Sequence, residues 1–493
     1  MRQWGACGPA ENLALNRFPG FGWFKRRFSF VLSFRLLQST LLVTGCAVLL
    51  GASAQWVKAE PAAGAACRPA ADGSNPCPRS LRLEKQQPLS MMATVGKAMF
   101  FDPALSGSGK LSCASCHVPS LHYGPAGNAP VFKGGAAGDR EGRRAIPSLT
   151  YLERQPPFSI GPDDAVADDI APTIAVPVTG GAHAAKSAVN TASSAANLVP
   201  QGGLFLDGRA DTLHQQASGP MFDPDEMAAT PEKVTARLKA ADYAAPLRDL
   251  AGIRGKASSD FLLSEGLFAL ARYQIEDQKF HPYSSKFDAW LQGKARFSPL
   301  EREGYLLFND PQKGNCAACH VDTVRNDGLP PLFTDHQYEA LAAPRNLALQ
   351  HTHDPDYYDL GVCDQKPGGR KDLAPYCGMF ATPTLRNTAT RHSFFHNGVF
   401  HSLEDVMDFY VLRDLEPERF YPAGPDGRVQ AYNDIPAAYR GNIDTTDAPF
   451  DRRPGQAPAL TEAERKAIIA FLQTLTDGWT KDTGQGKLSP CRD

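Results

Sequence analysis

The sequence predicts an all-α chain of two helical domains packed together, and three observations carry that expectation. Capping signatures open several amphipathic runs, strand signals are few, and one Cys-x-x-Cys-His motif falls in each half of the 493 residues. A chain of this length is large enough for more than one core.

The first fifty or so residues read as a targeting segment. Lys25, Arg26 and Arg27 form a basic flank, an apolar stretch densest over 41–50 follows, and Ala52-Ser53-Ala54 offers a small-residue cleavage site. Arg35 and Gln38 interrupt the run, which weakens it as a spanning helix. Val43-Thr44-Gly45-Cys46 resembles a lipobox, but the apolar residues after Cys46 place it inside a signal core. The expectation is therefore a signal peptide over 1–54, export to the periplasm and no membrane attachment after cleavage, with lipidation at Cys46 the disfavoured variant. Residues 55–84 follow as an N-terminal extension. With 51 basic against 53 acidic residues and a formal charge of −2, the chain shows no footprint for nucleic acid or anionic lipid.

Helical elements then come in matching sets. Residues 88–101 read as an opening helix, and 259–276 as an amphipathic closing helix with Leu263, Leu267 and Leu270 inward. In the second half, Ser298-Pro299-Leu300-Glu301 combines an N-cap, a first-turn proline and a capping-box glutamate, opening a helix to about Phe308. Thr461 and Glu464 form another box, with Ile468, Phe471, Leu472 and Leu475 at helical spacing and Gly478 suited to the stop. Leu403, Val406, Met407 and Tyr410 share one face of a further helix capped by Ser402. These elements divide the chain into 85–280 and 281–493. Between 155 and 203 an Ala/Ser/Thr/Pro/Gly-rich stretch with little periodicity reads as a long surface insertion.

Cys113-Ala114-Ser115-Cys116-His117 and Cys316-Ala317-Ala318-Cys319-His320 carry the chemistry. Two thiols one helical turn apart add to the two vinyl groups of a haem, and the adjacent histidine reaches the iron. A bare Cys-x-x-Cys could be a redox disulfide or half a zinc site, but two copies with an immediate histidine in an exported chain point to two covalently bound haem c groups. The two helical domains are then class I cytochrome c-like. Of eleven cysteines, Cys7 and Cys46 leave with the signal, and Cys67, Cys77, Cys363, Cys377 and Cys491 remain outside the motifs. Cys67/Cys77 and Cys363/Cys377 each bracket a Pro/Gly-containing loop that either pair could close as a disulfide, although connectivity is not legible from sequence.

Several further segments make the chain similar to the bacterial dihaem cytochrome c peroxidase and MauG superfamily over about 85–478. They are Phe101-Asp102-Pro103, Asp207-Gly208-Arg209-Ala210, Gly219-Pro220 with Glu226-Met227, Thr382-Pro383-Thr384-Leu385-Arg386-Asn387 and Phe395-His396-Asn397-Gly398. The resemblance implies that the N-terminal haem, on His117, reacts with hydrogen peroxide and that the C-terminal haem, on His320, stores or relays electrons. It places Glu226 and Gln216 over the open face of the first haem, where a carboxylate can move a proton between the peroxide oxygens. It implies as partners a small periplasmic electron-donor protein or an oxidisable protein substrate. Without the resemblance, Glu226 would pass for a solvated acidic turn. A dihaem electron-transfer cytochrome without peroxidase activity is the rival from another class.

Three comparisons within that superfamily set the subtype. The run 134–143 ahead of Arg144-Ala145-Ile146-Pro147 contains no histidine to plug the first haem, and His122, the nearest other histidine, reads as a surface or packing residue. Tyr410 occupies the position of an axial tyrosine on the second haem, with Met407 one turn earlier as the rival ligand. A phenolate-like ligand favours the oxidised iron, a thioether the reduced one. Leu206 stands where the family places a tryptophan between the haems, so electrons must tunnel directly or use another aromatic residue. Calcium between the domains has no side-chain support, since Ala145 takes the place of the family's asparagine. Arg209 and Arg386 are candidate partners for haem propionates or for the domain interface.

Overall fold

A computed structural model describes residues 67–162, 198–254, 258–363 and 371–481. The signal segment, the interior of the insertion, Pro367-Gly368-Gly369 and Cys491 lie outside the described residues.

In the N-terminal half the Ser90 hydroxyl accepts from the Ala93 N–H and starts α1, Met91–Phe100. The first haem motif forms a single turn, α2, Cys113–Cys116. Beyond the insertion come α3, Leu213–Phe222, α4, Pro231–Ala240, α5, Ala245–Ile253, and α6, Ser259–Glu276. α1 crosses α6 so tightly that a Cβ on Gly96 would stand 1.9 Å from the Ala269 carbonyl oxygen. Val95, Met99, Phe100, Leu262 and Leu270 fill the core beneath this crossing, with Leu263 and Leu267 packed against it.

The C-terminal half repeats the device. After α7, Lys286–Leu291, the predicted capping box opens α8, Pro299–Phe308, with the Ser298 N–H donating to the Glu301 carboxylate at 2.6 Å. Ser402 caps α9, Leu403–Leu412, and the Thr461/Glu464 box opens α10, Glu462–Gln473. α8 and α10 touch at Gly304, where a Cβ would again lie 1.9 Å from a carbonyl, that of Ala467. Phe287, Trp290, Tyr305, Phe308, Ile468 and Phe471 make the second core. Each such side chain contributes on the order of 1.5–3 kcal/mol by leaving water.

The extension ahead of α1 belongs to this second core. The Cys67–Cys77 disulfide closes its first loop, and the Gly73 carbonyl accepts from the Trp290 indole N–H at 3.1 Å and from the Phe297 N–H at 2.9 Å. Leu81 then packs among the C-terminal apolar residues.

The all-α expectation needs correcting. Among the described residues there are three two-stranded antiparallel sheets: β1, Lys133–Gly134, with β2, Arg140–Glu141; β3, Ser159–Pro162, with β4, Leu198–Gln201; and β5, Tyr338–Glu339, with β6, Phe380–Ala381. β3 and β4 are the two ends of the insertion, so its base is a paired stem rather than irregular loop. No alternating apolar pattern announces it; the pairing joins residues distant in sequence, Ser159 with Gln201. Among the described residues no helix is long and apolar enough to cross a membrane.

Candidate active site

Both motif histidines are held in the same way. His117 Nδ1 lies 3.1 Å from the Tyr123 carbonyl oxygen and His320 Nδ1 lies 2.9 Å from that of Phe333. A carbonyl can only accept, so each ring carries its proton on Nδ1 and presents Nε2 as the lone-pair nitrogen. Burial pushes both imidazoles down to about 4, which keeps them neutral and able to bind a metal. None of the four motif cysteines is in a disulfide, as thioether formation to a haem requires.

A cavity of ≈ 350 Å³ is lined by Cys316, Cys319 and His320, and by Leu403, Val406, Met407 and Tyr410 from one face of α9. It extends past Leu206 to Gln216 and His122 of the N-terminal half. The Tyr410 ring packs 5.1 Å from Phe450, and burial, reinforced by Cys319 and Cys316, raises its phenol. Met407 is more deeply packed and belongs to the apolar core. Of the surface and packing alternatives for His122, the structure fits the second: it is partly buried, and its Nε2 is enclosed with no hydrogen-bond partner.

Arg391 was missed in the sequence. Its guanidinium is buried close enough to His117 to depress that imidazole, yet its hydrogen bonds go only to carbonyls, Ile146 at 2.9 Å and Ser393 at 3.2 Å. Burial alone lowers it to about 10. A largely enclosed cation hydrogen-bonded to carbonyls rather than a carboxylate, beside a neutral histidine, fits an anionic group such as a haem propionate. No local sequence signal distinguishes Arg391 from other arginines.

Glu226 sits in the turn after α3, partly buried, close enough to Cys116 to bias the thiol upward. Burial, with Asp223 and Asp225 adding and Arg209 opposing, pushes its carboxyl up to about 7. Gln216 is buried on α3 and faces the cavity. The histidine-free loop is tied down over this turn: the Gly135 N–H donates to the Glu226 carbonyl at 2.6 Å, and Arg140 pairs with Asp225 at 2.7 Å.

Neither arginine named from sequence is a free propionate partner. Arg386 is buried and bound by both carboxylate oxygens of Asp288, at 2.8 and 2.9 Å. Arg209 pairs with Asp207 at 2.8 Å and lies 3.4 Å from the centre of the Phe205 ring. Asp207 is shared with Arg144, which also grips Asp359 at 2.7 Å. Ala145 has no polar side chain to offer a cation, and its N–H donates to the His396 carbonyl at 2.8 Å. Cys363 and Cys377 form a disulfide.

Known proteins resemble this chain in sequence and fold. The family model for di-haem cytochrome c peroxidase matches residues 90–296. The methylamine utilization protein MauG of Paracoccus denitrificans is 29% identical over 407 residues, 78% of this chain and 88% of that one. The cytochrome c551 peroxidase of Nitrosomonas europaea is 29% identical over 322 residues, 64% of this chain and 72% of that one. A crystal structure of the dihaem peroxidase BthA from Burkholderia thailandensis superposes with a TM-score of 0.66 at 34% identity, covering 82% of this chain and 91% of that one. With that coverage and identity, two cysteine-histidine motifs and a fold built twice on the same helix crossing, the chain belongs to the dihaem cytochrome c peroxidase and MauG family and is a peroxide-dependent dihaem oxidoreductase.

Proposed function

We propose that peroxide reacts at the haem held by Cys113, Cys116 and His117, with Glu226 as the proton-transfer group. Cys316, Cys319, His320 and Tyr410 would hold the second haem, whose iron would supply a store for oxidising equivalents until a donor quenches them. The observation that carries this reading is Glu226: a carboxyl pushed up to about 7 beside Cys116 has the proton affinity general catalysis near neutrality needs. When bound, haem supplies the iron that activates peroxide. The rest is the work of the chain. Glu226 takes the proton from the inner peroxide oxygen and returns it to the outer one, so that water can leave. Gln216 offers an amide to orient the peroxide, and Arg391 neutralises a propionate. The neutral His117 ring, oriented by the Tyr123 carbonyl, would offer Nε2 to the iron.

The 85–280 and 281–493 segments act as two class I cytochrome c-like domains in the periplasm, and the donor is a small electron-transfer protein or an oxidisable protein substrate. The test is an electron paramagnetic resonance spectrum of the resting ferric protein, repeated after peroxide. One high-spin and one low-spin haem, both bleaching without prior reduction, is the expected result. Two low-spin haems indifferent to peroxide would overturn the reading and leave an electron carrier.

A further inference from the structure

Leu206 cannot be oxidised, yet the two haem sites are bridged elsewhere by a run of ring contacts, cation–ring contacts and backbone hydrogen bonds. The Tyr123 carbonyl holds His117, and the Tyr123 ring stacks on Phe280 with centroids 3.7 Å apart. The Phe280 carbonyl accepts from the Tyr151 N–H at 2.7 Å. The Tyr151 ring lies 4.8 Å from that of Tyr283, and the Arg386 guanidinium sits 5.0 Å from the first, 4.9 Å from the second and 5.9 Å from Phe333. The Phe333 carbonyl in turn holds His320.

At the middle of this run stands a phenol with its own proton acceptor. Tyr151 is buried, and its hydroxyl donates to Asp477 Oδ2 at 2.5 Å. Asp477 is itself buried and accepts three further hydrogen bonds, from the Ser284 N–H at 2.8 Å, the Ser284 hydroxyl at 3.3 Å and Asn387 Nδ2 at 2.8 Å. Both tyrosines adopt left-handed backbone, φ 67° at Tyr151 and 44° at Tyr283, a conformation bulky side chains rarely take unless their surroundings enforce it.

We propose that Tyr151, with Asp477 as its proton acceptor, is the redox relay between the two haem sites, taking the place that Leu206 cannot fill. This rests on the assignment of haems to His117 and His320. Tyr151 gives one electron to the oxidised His117 site and its phenolic proton to Asp477 Oδ2, leaving a neutral phenoxyl radical. One electron from the His320 site and the proton returned by Asp477 restore the phenol. The oxidant is the peroxide of the established reaction, and the net change is one oxidising equivalent moved between the sites. Burial raises the Tyr151 phenol well above its ordinary value, so the electron does not leave without the proton. Arg386, locked on Asp288, disfavours a positively charged ring beside it and thereby favours the neutral radical.

The experiment follows the holoenzyme after hydrogen peroxide by freeze-quench paramagnetic resonance, as native protein and as Tyr151→Phe and Asp477→Asn. In both variants the first haem signal should be lost at the native rate. Loss of the second should slow by about a hundredfold, the low end of what a positioned proton-transfer group contributes. A transient organic-radical signal that narrows when tyrosine is ring-deuterated should be present in the native protein and absent from Tyr151→Phe. Phenylalanine keeps the ring, so a pathway that only tunnels would be unchanged, and an unchanged second rate with the same radical overturns the relay. Should either variant fail to fold, native protein in D₂O decides: a slowed second step with an unslowed first supports the relay, and equal rates in both solvents overturn it. Peroxide-inert resting haems would instead overturn the haem assignment, and the relay with it.

Discussion

Gly304 lets α8 rest directly on the carbonyl of Ala467 in α10, as Gly96 does for Ala269 in the other half. A methyl group at either glycine has backbone, not a movable side chain, in its way. Gly304→Ala should therefore destabilise the protein by about 1–3 kcal/mol, although alanine is the better helix former. Urea unfolding of the holoprotein would measure it; a neutral or stabilising result would show that the crossing can open without cost.

Glu226→Gln should lower the rate of peroxide reaction by about 10²–10⁴-fold while both haems still load. In the native protein that rate should climb with pH through about 7, because the carboxylate is the form that accepts a proton and burial has raised its ionisation to that value. The glutamine variant should lose this dependence, which stopped-flow absorbance at several pH values would reveal. The stability sign is opposite: a carboxyl raised on folding favours the folded state at low pH and gives up that contribution as pH rises through about 7.

Tyr410 and Met407 can be separated by ligand replacement. Tyr410→Phe should convert the second haem from low-spin to high-spin, and Tyr410→Met should raise its reduction potential, since a thioether favours Fe(II). A low-spin signal that survives Tyr410→Phe and disappears in Met407→Leu would assign the ligand to Met407 instead.

Arg144 joins Asp207 and Asp359 in a buried cluster, and Arg144→Met should cost about 3–5 kcal/mol by leaving two carboxylates buried without their shared cation. Burial opposes the charge on Asp359, but the Arg144 guanidinium overrides it and holds the carboxyl far below its usual range. A depressed carboxyl stabilises the fold above its unfolded value and loses that contribution as pH falls. Acid unfolding of Arg144→Met should accordingly set in at higher pH than for the native protein, as followed by circular dichroism.

Features written in neighbouring residues were legible in the sequence. The capping boxes at Ser298/Glu301 and Thr461/Glu464 place α8 and α10 because each is a local exchange of hydrogen bonds. The haem motifs are legible for the same reason. What escaped depends on residues far apart. The β3–β4 stem has no alternating pattern, and the isolation of Arg391 is visible only once the fold has put every carboxylate elsewhere. Tyr151 gains its meaning from Asp477, more than three hundred positions away. Glu226 lies between these cases: the turn that carries it is readable, but the burial that raises it is not.

The segment 67–82 has a bearing on how the protein is made. It is tied to Trp290, Leu291 and Phe297 and contributes Leu81 to a core whose other side, α10, ends at Gln473. The apolar core of the N-terminal half, by contrast, draws on nothing beyond Phe280, just after α6. During synthesis the first described stretch of chain must therefore wait for almost the last before the core it joins is complete, while the apolar core between them can already close. Cutting the protein at the junction of its two haem motifs would leave that strap attached to the wrong piece, and a C-terminal fragment begun at His281 would lack part of its own wall.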